Sequence, residues 1–235
     1  MSLLGSLASF FSQPQVEKST DSFDSAGKAI RIDRYLPIGD EAHPAVIALY
    51  GSTGVEDSFS ERPARLLAGQ GYAVFLLHYF DRTGTTEQPT KKQMHDLFPD
   101  WMAAISDGIT YTSQLPQVAN GGTALIGFSL GAYLALATGA TDTRVKAIID
   151  FCGGLPEALL ARSPKLPPTL ILHGEDDEAV PISEARNVRD LAERTGSVCE
   201  CKFYPGEGHH LSTMTMIDAA QRVPEFLRRH LNGRG

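Results

Sequence analysis

From residue 45 onward the chain repeats one pattern that leaves few folds open to it: a short run of strand character, a helical stretch, then another run. Residues 45–50 and 72–77 are continuously apolar, as strands buried on both faces must be. Residues 123–126, 145–150, 168–173 and 198–204 supply four more strands. Helical periodicity appears over 60–70, 97–115, 183–194 and 217–231, with Pro224 as a kink or break in the last. An Ala/Leu-rich helix also begins just after Ser129. Strands alternating with helices predict an α/β fold: a mostly parallel sheet, right-handed crossovers and helices on both faces.

What precedes residue 45 is weaker in pattern. Residues 28–36 alternate apolar and polar, the mark of a half-exposed strand. Residues 12–27 are polar and turn-rich and read as a connector. The chain therefore divides into an N-terminal extension, 1–27, and a single domain, 28–235. Leu3, Leu4, Leu7, Phe10 and Phe11 share one helical face. The absence of a basic residue and of a cleavage site there argues against a secretory leader. A short helix packed on the body is the expectation, and its apolar face leaves a homodimer open.

Composition excludes several classes. A chain of 235 residues that is 42% hydrophobic and 21% charged buries a substantial core. A formal net charge of -7 with no long basic run argues against a nucleic-acid partner. No stretch is long enough to span a bilayer. The three cysteines, Cys152, Cys199 and Cys201, are odd in number and lack metal-ligand spacing. Cys199 and Cys201 fall on one face of a predicted strand, unbridged, and all three read as small buried apolar residues. A reducing compartment, the cytoplasm, follows.

In parallel sheets binding groups gather where strands end. The run at 123–126 leads into Gly127-Phe128-Ser129-Leu130-Gly131. Gly-x-Ser-x-Gly between a strand and a helix is the form of a nucleophile elbow, in which a sharp turn lifts the serine hydroxyl above the sheet. The Leu130 N–H at the helix N-terminus is free to bind a developing oxyanion. After 168–173 comes Gly174-Glu175-Asp176-Asp177, and after 198–204 comes Pro205-Gly206-Glu207-Gly208-His209-His210. A serine is a poor nucleophile without a base, and the base needs an acid to fix its tautomer. Serine, acid and histidine thus stand at one sheet edge, in that order. Asp177 leads as the acid, with Asp150 its rival; His209 leads as the base, over His210.

These runs resemble the dienelactone hydrolase branch of the α/β-hydrolase superfamily. The matching residues are Gly127 to Gly131, the run from His173 to Pro181 and the run from Tyr204 to His209. The resemblance implies an α/β-hydrolase fold with Ser129 as nucleophile, Asp177 as acid and His209 as base. It also implies an oxyanion hole from the N–H groups of Leu130 and Ser52, with no metal or organic cofactor. Dienelactone hydrolase itself uses a cysteine nucleophile, places a glutamate before the oxyanion-hole residue and holds its substrate carboxylate with two arginines. Here the corresponding residues are Ser129 and Gly51, Arg82 matches one arginine, and the other position falls near Thr213. Arg82 is accordingly the candidate for substrate carboxylate, and Phe128 for the apolar wall, with Phe80, Tyr133 and Phe151 further wall candidates.

Only residues 151–167 separate two strands between which many such enzymes insert a lid, too few for a cap domain. The site should be open, bounded by loops at 51–59, 78–95 and 151–160. The expected function is a serine hydrolase of small esters or lactones working through an acyl-enzyme. A thioesterase or acyl-peptidase activity would use the same groups. A non-catalytic binding protein would keep the fold and lose part of the triad.

Overall fold

A computed structural model describes residues 16–55 and 61–231. Its strands are β1 (Val16–Ser25), β2 (Lys28–Pro37), β3 (His43–Leu49), β4 (Ala73–Leu77), β5 (Val118–Phe128), β6 (Val145–Phe151), β7 (Thr169–Gly174) and β8 (Cys199–Tyr204). They form one sheet in the order β1-β2-β4-β3-β5-β6-β7-β8. The pairs β1–β2 and β2–β4 are antiparallel, and every pair from β4 to β8 is parallel. The helices are α1 (Glu61–Ala68), α2 (Lys91–Ser113), α3 (Leu130–Gly139), the one-turn α4 (Glu157–Leu160), α5 (Ile182–Thr195) and α6 (Thr213–His230).

Right-handed crossovers explain the two-sided cover. The step from β3 to β4 runs toward the β1 edge, whereas the steps from β4 to β5, β5 to β6 and β7 to β8 run toward the other edge. Crossovers of one hand in opposite directions put α1 on one face and α2, α3 and α5 on the opposite one. Strands sandwiched this way must be apolar throughout, and β4 is buried at all five positions. Trp101, Ile105 and Ile109 of α2 and Phe226 and Leu227 of α6 complete the core, each at most 1% exposed. Each such side chain contributes roughly 1.5–3 kcal/mol by leaving water. The direction of the crossover steps reverses between the neighbouring parallel strands β3 and β5, which is where ligands bind in open α/β sheets.

Residues 16–25, read as connector, are a full strand paired with β2 from Val16↔Pro37 to Ser25↔Lys28. Within β1 only Phe23 and Ser25 are buried, so the edge strand carries no apolar alternation to read. Main-chain pairing and polar cross-strand contacts, such as Thr20 Oγ1 donating to Asp33 Oδ1 at 2.6 Å, hold it instead. The apolar face of Leu3, Leu4, Leu7, Phe10 and Phe11 lies outside the described residues.

Two helices start earlier than their periodicity suggests. Helix α2 begins at Lys91, not 97, because Thr90 and Gln93 form a reciprocal capping box, and it runs through Pro99. Helix α6 begins at Thr213 on an Ser212 cap and continues unbroken through Pro224. Between β6 and β7 the only helix is α4, so no cap domain stands over the strand ends. Among the described residues no helix is long and apolar enough to cross a membrane.

Candidate active site

The turn after β5 has the backbone an elbow requires. Ser129 adopts φ 53 and ψ -118, a region costly for a residue with a side chain and found where the surroundings enforce it. The enforcement comes from packing. A Cβ on Gly127 would lie 2.3 Å from the Gly131 carbonyl oxygen, and one on Gly131 would lie 2.3 Å from that of Leu49 and 2.5 Å from that of Tyr50. Only glycine fits at either place. The same contacts bring the N-terminus of α3 against the end of β3, so Leu130 neighbours the turn that Gly54 N–H closes onto the Gly51 carbonyl at 3.1 Å. Tyr79 anchors that turn from behind, its hydroxyl donating to the Tyr50 carbonyl at 2.8 Å while the two rings stack at 4.5 Å.

Three side chains from three strand ends meet in a line. His209 Nδ1 lies 2.7 Å from Asp177 Oδ2, and His209 Nε2 lies 3.0 Å from Ser129 Oγ. An ionised carboxylate only accepts, so Nδ1 carries the proton and Nε2 is left to accept from the serine hydroxyl. Asp177 is fully shielded from solvent, whereas His209 keeps 18% of its side chain exposed. A buried carboxylate is tolerable only when fully hydrogen-bonded, and Asp177 Oδ1 accepts the N–H groups of Ala179 at 2.9 Å and Val180 at 2.8 Å.

A further layer around the acid escapes sequence reading. His173, at the end of β7, lies with Nε2 2.9 Å from the Val180 carbonyl and 3.4 Å from Asp177 Oδ2. The carbonyl acceptor requires the proton on Nε2. Burial holds the imidazole below its ordinary pKa and hence neutral, with Nδ1 lacking a partner. Gly174 lets the loops after β7 and β8 touch, since a Cβ there would lie 2.3 Å from the Glu207 carbonyl oxygen and 2.4 Å from that of Gly208. Asp176 N–H donates to the Glu207 carbonyl at 2.9 Å across the same seam. This seam sets the reach from Asp177 to His209, and the glycine directly after an apolar strand was its one visible signal. Cys152 is buried, with φ 53. Its sulfur and ligand atoms of Asp177 and His209 lie within 4.8 Å of one another. Burial pushes its thiol up to about 12, which leaves it protonated and inert.

The rival residues are accounted for. His210 is exposed and its ring packs 5.5 Å from both Phe128 and His209. Phe128, half-buried, lies 5.1 Å from the His209 ring. Asp150 is fully buried under the site, with Oδ1 accepting Gly153 N–H at 2.8 Å and Oδ2 unpartnered. Burial raises its pKa to about 7. Asp177→Asn is expected to lower kcat about 10⁴-fold, and Asp150→Asn to leave it within a few-fold, measured on one ester at saturation.

Asp150 also predicts a pH dependence of stability. The unfolded carboxyl ionises near pH 4 and the folded one near 7, so the native state holds the extra proton between them. Stability must therefore fall as pH rises through that window, by up to roughly 1.4 kcal/mol per unit. Urea unfolding at several pH values should show this slope in the wild type, and Asp150→Asn should lose this residue's share of it.

Arg82 occupies a different setting from the one expected of a carboxylate-binding residue. Its Nη1 donates to Ser25 Oγ at 2.5 Å, and its guanidinium lies 3.8 Å from Asp100 and from Asp107 of α2, with 15% of the side chain exposed. Ser25 in turn donates to Asp107 at 2.5 Å. The charge is already balanced by groups on β1 and α2. Arg82→Ala should lower unfolding stability by about 1–3 kcal/mol and leave the kcat/KM ratio of acidic to neutral esters unchanged.

Fold and site together define an α/β-hydrolase. The narrower assignment comes from comparison with known proteins. The model of the dienelactone hydrolase family matches residues 9–222, and the chain belongs to that family of hydrolases. Acyl-coenzyme A thioesterase 6 of Mus musculus is 34% identical over 111 residues, 47% of this chain and 24% of the mouse protein. The chain thus matches about a quarter of that relative's length. The acylaminoacyl peptidase of Pyrococcus horikoshii shares the fold with a TM-score of 0.81 at 16% identity, over 100% of this chain and 44% of that one. A dienelactone hydrolase-like promiscuous phosphotriesterase from metagenomic libraries gives 0.78 at 16% identity, over 92% and 99%.

Proposed function

We propose that the protein is a serine esterase that cleaves small esters or lactones through an acyl-enzyme. The observation that carries this reading is the unbroken chain from Asp177 through His209 to Ser129, at 2.7 and 3.0 Å, on an elbow only glycines permit. Ser129 Oγ attacks the carbonyl carbon while His209 Nε2 takes its proton. Asp177 fixes the His209 tautomer and stabilises the imidazolium. The N–H groups of Leu130 and Ser52 bind the oxyanion, and their placement together is supported by the contact of Gly131 with Leu49 and Tyr50. His209 then protonates the leaving alkoxide, and water repeats the cycle to release the acid. Phe128, against His209, offers an apolar wall to the substrate. No step calls on a metal or an organic cofactor. Three free thiols support a reducing compartment such as the cytoplasm.

The similarity to acyl-coenzyme A thioesterase 6 favours one second reading, a thioesterase. The two share every step except the leaving group. A panel of oxygen esters, lactones and thioesters with a common acyl group separates them. The esterase reading predicts kcat/KM for the oxygen esters at or above that of the thioesters. A thioester preference of a hundredfold or more would replace it with the second.

A further inference from the structure

We propose that Cys199 and Cys201 form a bidentate dithiolate site for a thiophilic divalent metal ion of the zinc and cadmium class, on the outer edge of the sheet. Among the described residues, strand β8 pairs only with β7 and forms one edge of the sheet. Residues two apart on a strand share a face, and the two sulfurs are 3.6 Å apart. Both thiols are free; Cys201 is exposed and Cys199 half-buried, against the expectations that all three cysteines would be buried and that their spacing in sequence suits no metal. Glu200 between them points the other way, where Arg229 holds it in a fork at 2.8 and 2.9 Å. That fork and the register Thr169↔Cys199 and Ile171↔Cys201 keep the thiols side by side.

The spacing distinguishes metal binding from disulfide formation. Two thiolates on one tetrahedral ion, each about 2.3 Å from it, lie roughly 3.8 Å apart. The pair already stands near that bite. A disulfide needs the sulfurs at about 2.05 Å. It would also join Cα atoms that an extended strand sets roughly 6.4–6.8 Å apart, the upper end of what a disulfide spans. Closure would strain the pairing with β7; metal binding would not. The charge around the pair also suits a thiolate. The Cys199 thiol and the Arg189 guanidinium on α5 hold the Cys201 thiol below its ordinary range, against the opposing effects of burial, Asp150 and Glu193. On binding, two S–H bonds break, two metal–sulfur bonds form and two protons leave to solvent. Water or an external thiol fills the remaining positions, and nothing is oxidised or reduced.

The test is a cadmium titration of the reduced, metal-free full chain, following thiolate-to-metal charge-transfer absorbance, proton release and ester turnover together. The expected result is a one-equivalent band with two protons released, kept in Cys152→Ser and lost in Cys199→Ser and in Cys201→Ser. Alkylating exposed Cys201 in the folded wild type should remove the band as well, independently of whether the variants fold. Turnover should be unchanged at the equivalence point. A band that survives both edge-strand variants would overturn the proposal. So would one lost in Cys152→Ser together with turnover, which would put the ion at Cys152, Asp177 and His209. The absence of any band with cadmium in large excess would overturn it too.

Discussion

Ser129→Ala is expected to lower kcat for p-nitrophenyl acetate by about a millionfold, with KM changed little. The size follows from what the hydroxyl does. In the proposed mechanism it is the nucleophile, so without it water must attack unaided from outside the line that His209 and Asp177 define. Residual hydrolysis of about 10³–10⁴ over the uncatalysed reaction should persist, because the oxyanion donors and the binding surface remain. Alanine keeps the Cβ that the strained turn already accommodates and removes only Oγ, so the fold should be kept. Unchanged thermal unfolding in the variant, beside the activity loss, is the control that assigns the loss to chemistry.

His209→Ala should fall to a similar floor, since a serine without its base and a base without its serine are equally idle. The neighbouring His210→Ala should retain wild-type kcat within a few-fold. The contrast is sharp because the two residues are adjacent and both pack on Phe128. Only His209 bridges to Ser129 and Asp177. Combining Ser129→Ala with His209→Ala should cost little more than either alone, because the two act as one unit. A double variant whose losses multiplied would place the two residues in separate roles.

How much of this was legible in the sequence depends on the range of the contact involved. The elbow was legible because its requirements are local: glycines two positions to either side of a serine, between a strand and a helix. Asp177 and His209 were legible through topology, since every parallel strand delivers its following loop to one edge. Choosing Asp177 over Asp150 needed the structure. Asp177 follows β7 and Asp150 lies near the end of β6, and only the packing shows one accepting from His209 and the other enclosed with a single donor. Strand β1 was missed because an edge strand with nearly all its side chains in water has no reason to alternate. The contacts of Arg82 were hidden with it, since its partner Ser25 belongs to β1 and its acidic neighbours sit on α2. His173 and Gly174 act through contacts with residues 180 and 207–208; the glycine after the strand hints at the second of these, and no local pattern announces the first.

The central claim, a serine made nucleophilic by its two partners, is met most directly by labelling with a fluorophosphonate. The folded wild-type protein should take up one equivalent, and peptide mapping should find the adduct on Ser129. Labelling should vanish in Ser129→Ala and drop steeply in His209→Ala. Folded wild-type protein that stays unlabelled, or that carries the adduct on another residue, would contradict the account.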